Sequence, residues 1–352
     1  MEPVTAIGMM SGTSLDGVDI ALCKFYGDTD FPDHKIEAAE TIPYSASWKN
    51  KLATAHTLGS KQLNHFDFTY GKYLGELAGQ FISKHYVEPD FIASHGHTVF
   101  HRPEAGYTLQ IGNGAALAAA TGRKVITDFR SQDVALGGQG APLVPVGDRM
   151  LFGKFAVCLN LGGFSNVSFE QEGRRIAFDT CPANIALNYF ASKMGLDYDA
   201  DGRGATSGKL SEGLLSELNN LVYYSEAPPK SLGREWFESD FLPIVNKYNI
   251  PVTDVLNTIT EHIAEQIGAS LSMLPPGNIL ATGGGALNGY LVSRIRAHTG
   301  HTVVIPDAKL IHYKEALVFA LLGWLRLQGR NNCLASVTGA SRDSCSGAVY
   351  EG

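Results

Sequence analysis

A strand, a short glycine-rich turn and a second strand occur at two places in this chain, and this repetition constrains its fold more than any other feature. The first copy is residues 8–22, GMMSGTSLDGVDIAL, which end in apolar residues alternating as they do along a half-buried strand. The second copy is residues 155–169, FAVCLNLGGFSNVSF. Two halves that open in the same way predict a duplicated α/β fold with two lobes.

The first glycine-rich turn has the composition of a phosphate-binding turn. Backbone N–H groups and hydroxyls hold phosphate in such turns, and Gly12 and Gly17 permit positive φ and close approach. Asp16 places a carboxylate where a magnesium ion fits. No Gly-Lys-Ser/Thr follows, so this is not a Walker loop. An ordinary polar hairpin turn is the alternative interpretation.

The remaining sequence predicts alternating strands and helices. We expect strands at 90–94, 124–127, 176–179 and 278–281 and helices at 60–86, 183–193, 255–273 and 315–328. Ser60 is the predicted N-cap of the first of these helices. The last helix is apolar nearly all round, which predicts burial between layers. Residues 128–145 are dense in Gly and Pro and predict a long functional loop or an interdomain crossing.

The order of these elements predicts two domains. We place an N-terminal lobe at 1–131, with residues 332–352 as a segment that can return to it, and a C-terminal lobe at 132–331. A chain of 352 residues is long enough for two cores of ordinary size.

Charge and cysteine usage restrict the partners and the compartment. The net charge of −7, without a run of Lys or Arg, argues against a nucleic-acid binder. No apolar stretch reaches the roughly 20 residues that cross a bilayer, and the N-terminus lacks the basic region of a signal peptide. Five cysteines without C-x-x-C spacing predict reduced thiols. We therefore expect a cytoplasmic protein without nucleic-acid or membrane partners.

Six motifs in one order carry a family resemblance. They are MSGTSLDGVD at 10–19, SHGHTVFH at 94–101, TDFRSQDVALGGQGAPLVP at 127–145, NLGGFSN at 160–166, FDTCPAN at 178–184 and TGGGALN at 282–288. With the later SVTGASRD, they make the whole chain resemble the anhydro-N-acetylmuramic acid kinases. The resemblance implies a two-lobed actin-like, sugar-kinase fold (ribonuclease H-like, duplicated) with ATP in the interlobe cleft. It also implies the family's reaction, in which 1,6-anhydro-N-acetylmuramic acid, water and ATP give N-acetylmuramic acid 6-phosphate and ADP, a step of cell-wall sugar recycling.

The resemblance implies roles for individual residues. Asp179 matches the family's general base, which activates water against the anomeric carbon while the released O6 attacks the γ-phosphate. The residues implied to hold ATP and Mg²⁺ are Gly12, Thr13, Ser14, Leu15, Asp16, Gly17, Val18, Asp19, Gly162, Gly163, Gly283, Gly284 and Gly285, with Asp16 near the metal. The residues implied to contact the sugar are His95, His97, Arg130, Asp133, Gln139 and Glu315. Among them, Arg130 is the natural partner of the lactyl carboxylate.

Each of these roles has a structural alternative. Asp179 is also a suitable N-cap for the helix that follows Pro182. The glycines at 283–285 also suit a tight strand–helix turn without a ligand, and Glu315 also suits a helix N-terminus. The polar loop residues are equally suited to ordinary hydrogen bonds within their loops.

The chain departs from the family pattern at five positions. Cys181 and Ala183 replace two glycines around the base, and we expect their Cβ atoms to press on a loop near substrate or phosphate. His97 stands in place of the usual Gln, and Asn113-Gly114 in place of Asp-Pro. These departures leave the exact anhydrosugar open.

Three other functions compete with this one. A kinase for another 1,6-anhydro sugar, such as levoglucosan, keeps the chemistry and changes the substrate. A non-catalytic ATPase module of the actin or chaperone type keeps the fold alone. A zinc hydrolase would use His95, His97 and His101, which have the spacing H-x-H-x3-H. The oligomeric state is open, with a homodimer as one alternative.

Overall fold

Within residues 2–12 and 14–352, which the computed structural model describes, the chain forms thirteen strands and fourteen α-helices. The strands are β1 (Val4–Met10), β2 (Gly17–Gly27), β3 (Pro32–Pro43), β4 (Phe91–Ser94), β5 (His97–Arg102), β6 (Tyr107–Ile111), β7 (Val125–Thr127), β8 (Val157–Leu161), β9 (Phe164–Gln171), β10 (Arg174–Pro182), β11 (Asn278–Thr282), β12 (Thr302–Val304) and β13 (Ala348–Tyr350). The helices are α1 (Ala46–Ala53), α2 (Ser60–His85), α3 (Gly114–Thr121), α4 (Ser131–Ala135), α5 (Val144–Leu151), α6 (Asn184–Ser192), α7 (Arg203–Ser207), α8 (Glu212–Asn219), α9 (Arg234–Trp236), α10 (Leu242–Val245), α11 (Val252–Leu271), α12 (Gly289–His298), α13 (Ala308–Leu327) and α14 (Ala335–Thr338).

The chain divides into two compact units. The first unit comprises Met1–Gly153 and Tyr313–Gly352, and the second comprises Lys154–His312. The limits at 131 and 331, drawn from the sequence, stay a prediction about domains.

A six-stranded sheet organises the first unit. Its order is β13-β7-β4-β1-β2-β3. Strands β1, β2 and β3 form an antiparallel meander, while β4 and β7 continue the sheet in parallel with β1. Strand β13 pairs antiparallel with β7 at the edge, and β5 and β6 form a separate two-stranded sheet.

The second unit repeats this arrangement. Its sheet has the order β10-β9-β8-β11-β12, in which β8, β9 and β10 are an antiparallel meander and β11 and β12 follow in parallel with β8. The common order, with strands one to three antiparallel and strands four and five parallel to the first, is that of ribonuclease H-like folds. The predicted duplicated α/β fold is therefore confirmed.

Helices cover both faces of the first sheet. Side chains alternate between the faces of a strand, so Ile7 and Met9 of β1 pack in the core cluster that contains α2 and α3. Gly8 faces the other way, where a Cβ atom would overlap the carbonyl oxygen of Ala316 in α13. The predicted burial of this last helix is confirmed, because Leu317 and Leu321 are 0% exposed and the other apolar side chains between 316 and 325 are at most 3% exposed.

Helix α11 forms the centre of the second unit's core. The fourfold spacing of Val255, Ile259, Ile263 and Ile267 predicts one buried face, and all four side chains are at most 4% exposed. Their partners in the core come from β8 to β11, α6, α8 and α12.

Some predicted boundaries differ from the observed ones. The region 128–145 is not one long loop, because it contains α4 and the start of α5, and all of it lies in the first unit. Ser60 is the first residue of α2 rather than its N-cap. That position belongs to Gly59, whose N–H is bonded to the Gln62 side chain. Among the residues described, no helix combines the length and apolar character needed to cross a membrane.

Candidate active site

Asp179 lies on an irregular part of an edge strand of the second unit. The register of β10 against β9 shifts between Asp179 and Cys181, and such a bulge re-aims the neighbouring side chain. The backbone N–H of Leu232 donates to Asp179 Oδ2 at 2.8 Å. Burial raises the pKa of the Asp179 carboxyl to about 6, while the bond from Leu232 opposes the rise. A carboxylate with this pKa is suited to accept a proton at neutral pH.

The interpretation of Asp179 as a helix cap is wrong. Helix α6 has Ala183 at its N-cap position, without a side-chain cap. Carbonyl oxygens of the second glycine-rich turn satisfy the helix instead. Gly163 accepts from Ala183 N–H at 2.9 Å, and Gly162 accepts from Asn184 N–H at 3.0 Å. The Asp179 carboxylate is therefore not needed to start the helix.

The two departures beside Asp179 point into the core. Cys181 and Ala183 are both 0% exposed and belong to the apolar cluster of the second unit. Cys181 Sγ lies 4.0 Å from the carbonyl oxygen of Ile263 on α11. Both side chains therefore pack in the apolar core, and the expectation that their Cβ atoms press on a loop near substrate or phosphate stays a prediction.

The candidate residues in the turn between β1 and β2 lie partly at the surface and partly in the core. Ser14 and Asp16 are exposed and Gly12 is half-buried. Gly17 and Val18 are buried in β2, so they can offer a ligand only backbone atoms. Three candidates remain. Asp19 accepts a 2.5 Å hydrogen bond from Thr41, and Leu15 is half-buried. Thr13 lies outside the described residues.

The positive φ in this turn does not fall on a glycine. Leu15 has φ 59°, whereas neither Gly12 nor Gly17 has a positive φ. A left-handed conformation is costly for a residue with a branched side chain. Leu15 is held there by packing of its side chain against the first unit's core. Gly17 is required for another reason, since a Cβ atom would overlap the Ile42 backbone.

The other two glycine-rich turns lie in the second unit. Gly163 is exposed, and a Cβ atom built on it would meet nothing within 4 Å. Gly283 has φ 82°, and a Cβ on it would lie 2.6 Å from Asn160 Oδ1. Gly284 is exposed, and its nearest neighbour would be Asn184 Nδ2 at 3.7 Å. Gly283 is thus required by the fold, whereas Gly163 and Gly284 leave open surface for a ligand.

In the first unit, Arg130 connects two motifs predicted to contact the sugar. Its Nε donates to His95 Nε2 at 2.9 Å and its Nη1 donates to the Gly140 carbonyl at 2.6 Å. Burial lowers the pKa of His95 well below its ordinary value, and the guanidinium charge lowers it further. His95 is therefore a neutral acceptor that orients Arg130.

Asp133 is a positioning residue for this loop. It is 0% exposed, and its Oδ2 accepts from Gly140 N–H at 2.7 Å. Its Oδ1 accepts from Thr338 Oγ1 at 2.7 Å and from Cys333 Sγ at 3.1 Å. Both oxygens accept hydrogen bonds from protein groups, so Asp133 fixes the conformation of the loop.

His97 belongs to a buried chain of hydroxyl groups. Its Nδ1 lies 3.2 Å from Ser11 Oγ, which lies 2.7 Å from Tyr44 Oη, and this hydroxyl is 2.5 Å from Tyr70 Oη. Burial lowers the pKa of His97 to about 4, so the ring is neutral at physiological pH. The chain joins the SHGH motif to the residue immediately before the first glycine-rich turn.

Glu315 and Gln139 provide the exposed polar groups of the first unit's set. Glu315 lies in the interior of α13, which begins at Ala308, so its interpretation as a helix-terminal residue is wrong. Its side chain is exposed, but the surrounding protein partly desolvates the carboxyl and raises its pKa. The positive charge of Arg130 lowers the pKa and so opposes this effect. Gln139 is exposed and its backbone N–H donates to Thr338.

The histidine motif does not form a metal site. Among the described residues, the one group with three potential ligands in reach of each other is Glu261, Glu265 and His298, far along the chain from the motif. His101 bonds Thr108 instead. The zinc hydrolase alternative therefore has no ligand set.

Comparison with known sequences decides the family. The sequence profile of the anhydro-N-acetylmuramic acid kinases matches residues 4–352. The chain belongs to this family. Anhydro-N-acetylmuramic acid kinases similar to it include those of Hydrogenovibrio crunogenus (36% identical, 98% of this chain and 97% of the relative), Nitrosomonas europaea (35%, 98% and 99%) and Variovorax paradoxus (37%, 98% and 98%).

Solved structures give only a distant likeness. An activator of 2-hydroxyisocaproyl-CoA dehydratase from Clostridium difficile, with bound ADPNP, is 14% identical with a TM-score of 0.45 and covers 90% of this chain and 93% of its own. Component A of the (R)-2-hydroxyglutaryl-CoA dehydratase of Acidaminococcus fermentans is 14% identical with a TM-score of 0.48, covering 90% and 96%.

Proposed function

We propose that this protein is an ATP-dependent kinase that opens the 1,6-anhydro ring of 1,6-anhydro-N-acetylmuramic acid and phosphorylates O6. Asp179 carries the proposal. It is a half-buried carboxylate with a pKa of about 6, held by a backbone N–H at the position that matches the family's base. Membership of the kinase family over residues 4–352 supports the substrate.

Asp179 is the general base of the proposed reaction. Its carboxylate takes a proton from water as the water oxygen bonds to C1 of the sugar and the C1–O6 bond breaks. O6 leaves with the electron pair of that bond and attacks the γ-phosphorus of ATP, and ADP departs. Asp179 then returns its proton to solvent. The products are N-acetylmuramic acid 6-phosphate and ADP.

We assign the phosphates of ATP to the glycine-rich turns. Gly12, Ser14, Gly163 and Gly284 keep accessible surface in their turns. The exposed Asp16 suits Mg²⁺, which binds through one or two carboxylates and keeps phosphate and water as its other ligands. When bound, the metal neutralises charge on the phosphates.

Contacts to the sugar are assigned to the first unit. Arg130 is the proposed partner of the lactyl carboxylate, with His95 and the Gly140 carbonyl fixing its guanidinium. Glu315 and Gln139 are proposed to bond hydroxyl and acetamido groups. Asp133 acts through the loop that it holds. A cationic side chain at this place favours a carboxylate-bearing sugar over levoglucosan, which has none.

The proposal extends to the setting of the protein. We propose a cytoplasmic location and recycling of cell-wall sugars, in keeping with the family, and no nucleic-acid partner, in keeping with the net charge of −7. A homodimer is the proposed assembly, and light scattering measures it.

The deciding experiment is mass spectrometry of the products formed from ATP and 1,6-anhydro-N-acetylmuramic acid in ¹⁸O-labelled water. We expect one ¹⁸O at the anomeric position and phosphate on O6. Asp179→Asn should lower kcat by about 10²–10⁴ and leave both KM values within a few-fold. Levoglucosan in parallel tests the alternative substrate. Phosphorylation of levoglucosan alone would refute the substrate assignment, and near-normal turnover by Asp179→Asn would refute the base.

A further inference from the structure

A segment distant in sequence makes three hydrogen bonds with Asp179. Tyr223 Oη donates to the Asp179 carbonyl oxygen at 2.6 Å. The Asp179 N–H donates to the Lys230 carbonyl at 3.2 Å, and the Leu232 N–H donates to Oδ2 at 2.8 Å. Both backbone groups and one carboxylate oxygen of Asp179 are therefore fixed by residues 223–232.

Lys230 ties the two ends of this segment together. Its Nζ donates to the Tyr223 carbonyl at 3.0 Å and lies 4.6 Å from the centre of the Tyr223 ring. The same ammonium group lies 5.8 Å from the Phe178 ring, the neighbour of Asp179 in β10. A cation over aromatic faces is attracted by the ring quadrupole. Tyr223 is 5% exposed, so its hydroxyl bond to Asp179 is shielded from water.

We propose that Tyr223 and Lys230 are positioning residues for the base of the reaction, an inference that rests on the proposed function. They set the direction of the Asp179 carboxylate by holding its main chain and by presenting the Leu232 N–H to Oδ2. That N–H is the partner that stabilises the charged carboxylate. Loosening the segment therefore removes alignment and also makes the carboxylate harder to ionise.

The test compares two adjacent tyrosines. Tyr223→Phe keeps the ring and removes the hydroxyl that bonds Asp179. Tyr224→Phe is the matched control, because the Tyr224 hydroxyl lies 2.8 Å from His262 Nε2 in the core and does not bond Asp179. We expect Tyr223→Phe to lower kcat about tenfold with KM values within threefold, and the acid limb of the kcat/KM profile to move upward by about half a pH unit. Tyr224→Phe should lower Tm while leaving kcat and the profile unchanged.

Lys230→Gln provides a second variant that removes the tie without altering a tyrosine. We expect it to lower kcat and to shift the acid limb in the same direction. Lys230→Arg should retain more of the wild-type kcat than Lys230→Gln, because it keeps the cation. Equal kcat and equal pH profiles for Tyr223→Phe and Tyr224→Phe would overturn the proposal, as would a normal profile for Lys230→Gln.

A titration by NMR separates this proposal from the proposed function. Aspartate is labelled with ¹³C at Cγ, and the Asp179→Asn spectrum assigns the Asp179 signal. We expect the Asp179 pKa to rise in Tyr223→Phe and to stay unchanged in Tyr224→Phe. A wild-type protein that turns over no anhydrosugar would refute the proposed function. An unchanged Asp179 pKa in Tyr223→Phe would refute the positioning role whatever the activity.

Discussion

Replacing Asp179 by asparagine should stabilise the protein while lowering its kcat by about 10²–10⁴. The ionised carboxylate is held in an environment that raises its pKa from 3.8 to about 6, so the fold disfavours the charged form. Asparagine has almost the same shape and no charge, and its amide oxygen can still accept from Leu232 N–H. The substitution therefore removes an electrostatic penalty and keeps the main contact.

The size of the gain follows from the pKa values. The interval from 3.8 to about 6, at about 1.36 kcal/mol for each pKa unit, corresponds to about 3 kcal/mol at neutral pH. Because Asp179 keeps part of its surface in water, screening reduces the expected gain to roughly 1–3 kcal/mol. The raised folded-state pKa gives a stabilisation that is complete below 3.8 and lost as the pH rises through about 6. The advantage of Asp179→Asn should therefore be full at pH 7.5 and about half as large at pH 5.

Calorimetric melting of both proteins at pH 7.5 and pH 5 measures this difference. Asp133→Asn is the matched control, because it makes the same substitution at a fully buried aspartate. Both Asp133 oxygens accept hydrogen bonds, and an amide NH₂ cannot accept. We expect this control to lose about 1–3 kcal/mol. A Tm for Asp179→Asn below that of the wild type, or an advantage equal at both pH values, would refute the reasoning.

Three other outcomes are expected. Between pH 7.5 and pH 5.5 the wild type should lose about 1 kcal/mol more stability than His97→Gln. The folded protein lowers the pKa of the ring to about 4, so it resists the proton that the unfolded chain binds. An equal change of Tm with pH in the two proteins would contradict this. Gly284→Ala should fold normally, since its Cβ lies no closer than 3.7 Å to a neighbour. It should weaken ATP binding about tenfold in calorimetric titration. Gly79→Ala, whose Cβ has nothing within 4 Å, should leave the affinity for ATP unchanged. Gly8→Ala should destabilise the protein by several kcal/mol in urea unfolding, because the new methyl group overlaps the Ala316 carbonyl; a normal unfolding midpoint would show that α13 does not pack on β1.

The sequence predicts the fold well where one periodic pattern determines each element. The alternation in β2 predicts a strand, the helical spacing in α11 predicts a helix with one buried face, and the apolar surface of α13 predicts a helix buried between layers. The repeated strand–turn–strand pattern adds the duplication. Residues 128–145 were harder to predict, because Gly and Pro mark interruptions without excluding the short helices α4 and α5 between them.

The surroundings of the candidate site were only partly predictable. The family resemblance identifies Asp179 as the base, but the groups that hold it lie about 50 residues further along the chain, and no local pattern connects them. Ser11 lies within the first motif, yet Tyr44, whose hydroxyl it bonds, lies outside any motif, as does Tyr70, which bonds Tyr44 in turn. Thr338 carried a signal, since it lies in the SVTGASRD run that matched the family.

The bond between Thr338 and Asp133 has a consequence for how the protein is made. The two residues are 205 positions apart, and Asp133 in turn holds the Gly140 end of the loop that orients Arg130. Ribosomes add about 5–20 residues per second, so the loop waits roughly 10–40 s for its partner to be synthesised. During that interval the Asp133 carboxylate lacks the hydrogen bonds that Thr338 and Cys333 donate to it in the folded protein. A nascent chain stalled before residue 333 should therefore contain the strands of the first sheet's meander but lack an ordered sugar loop.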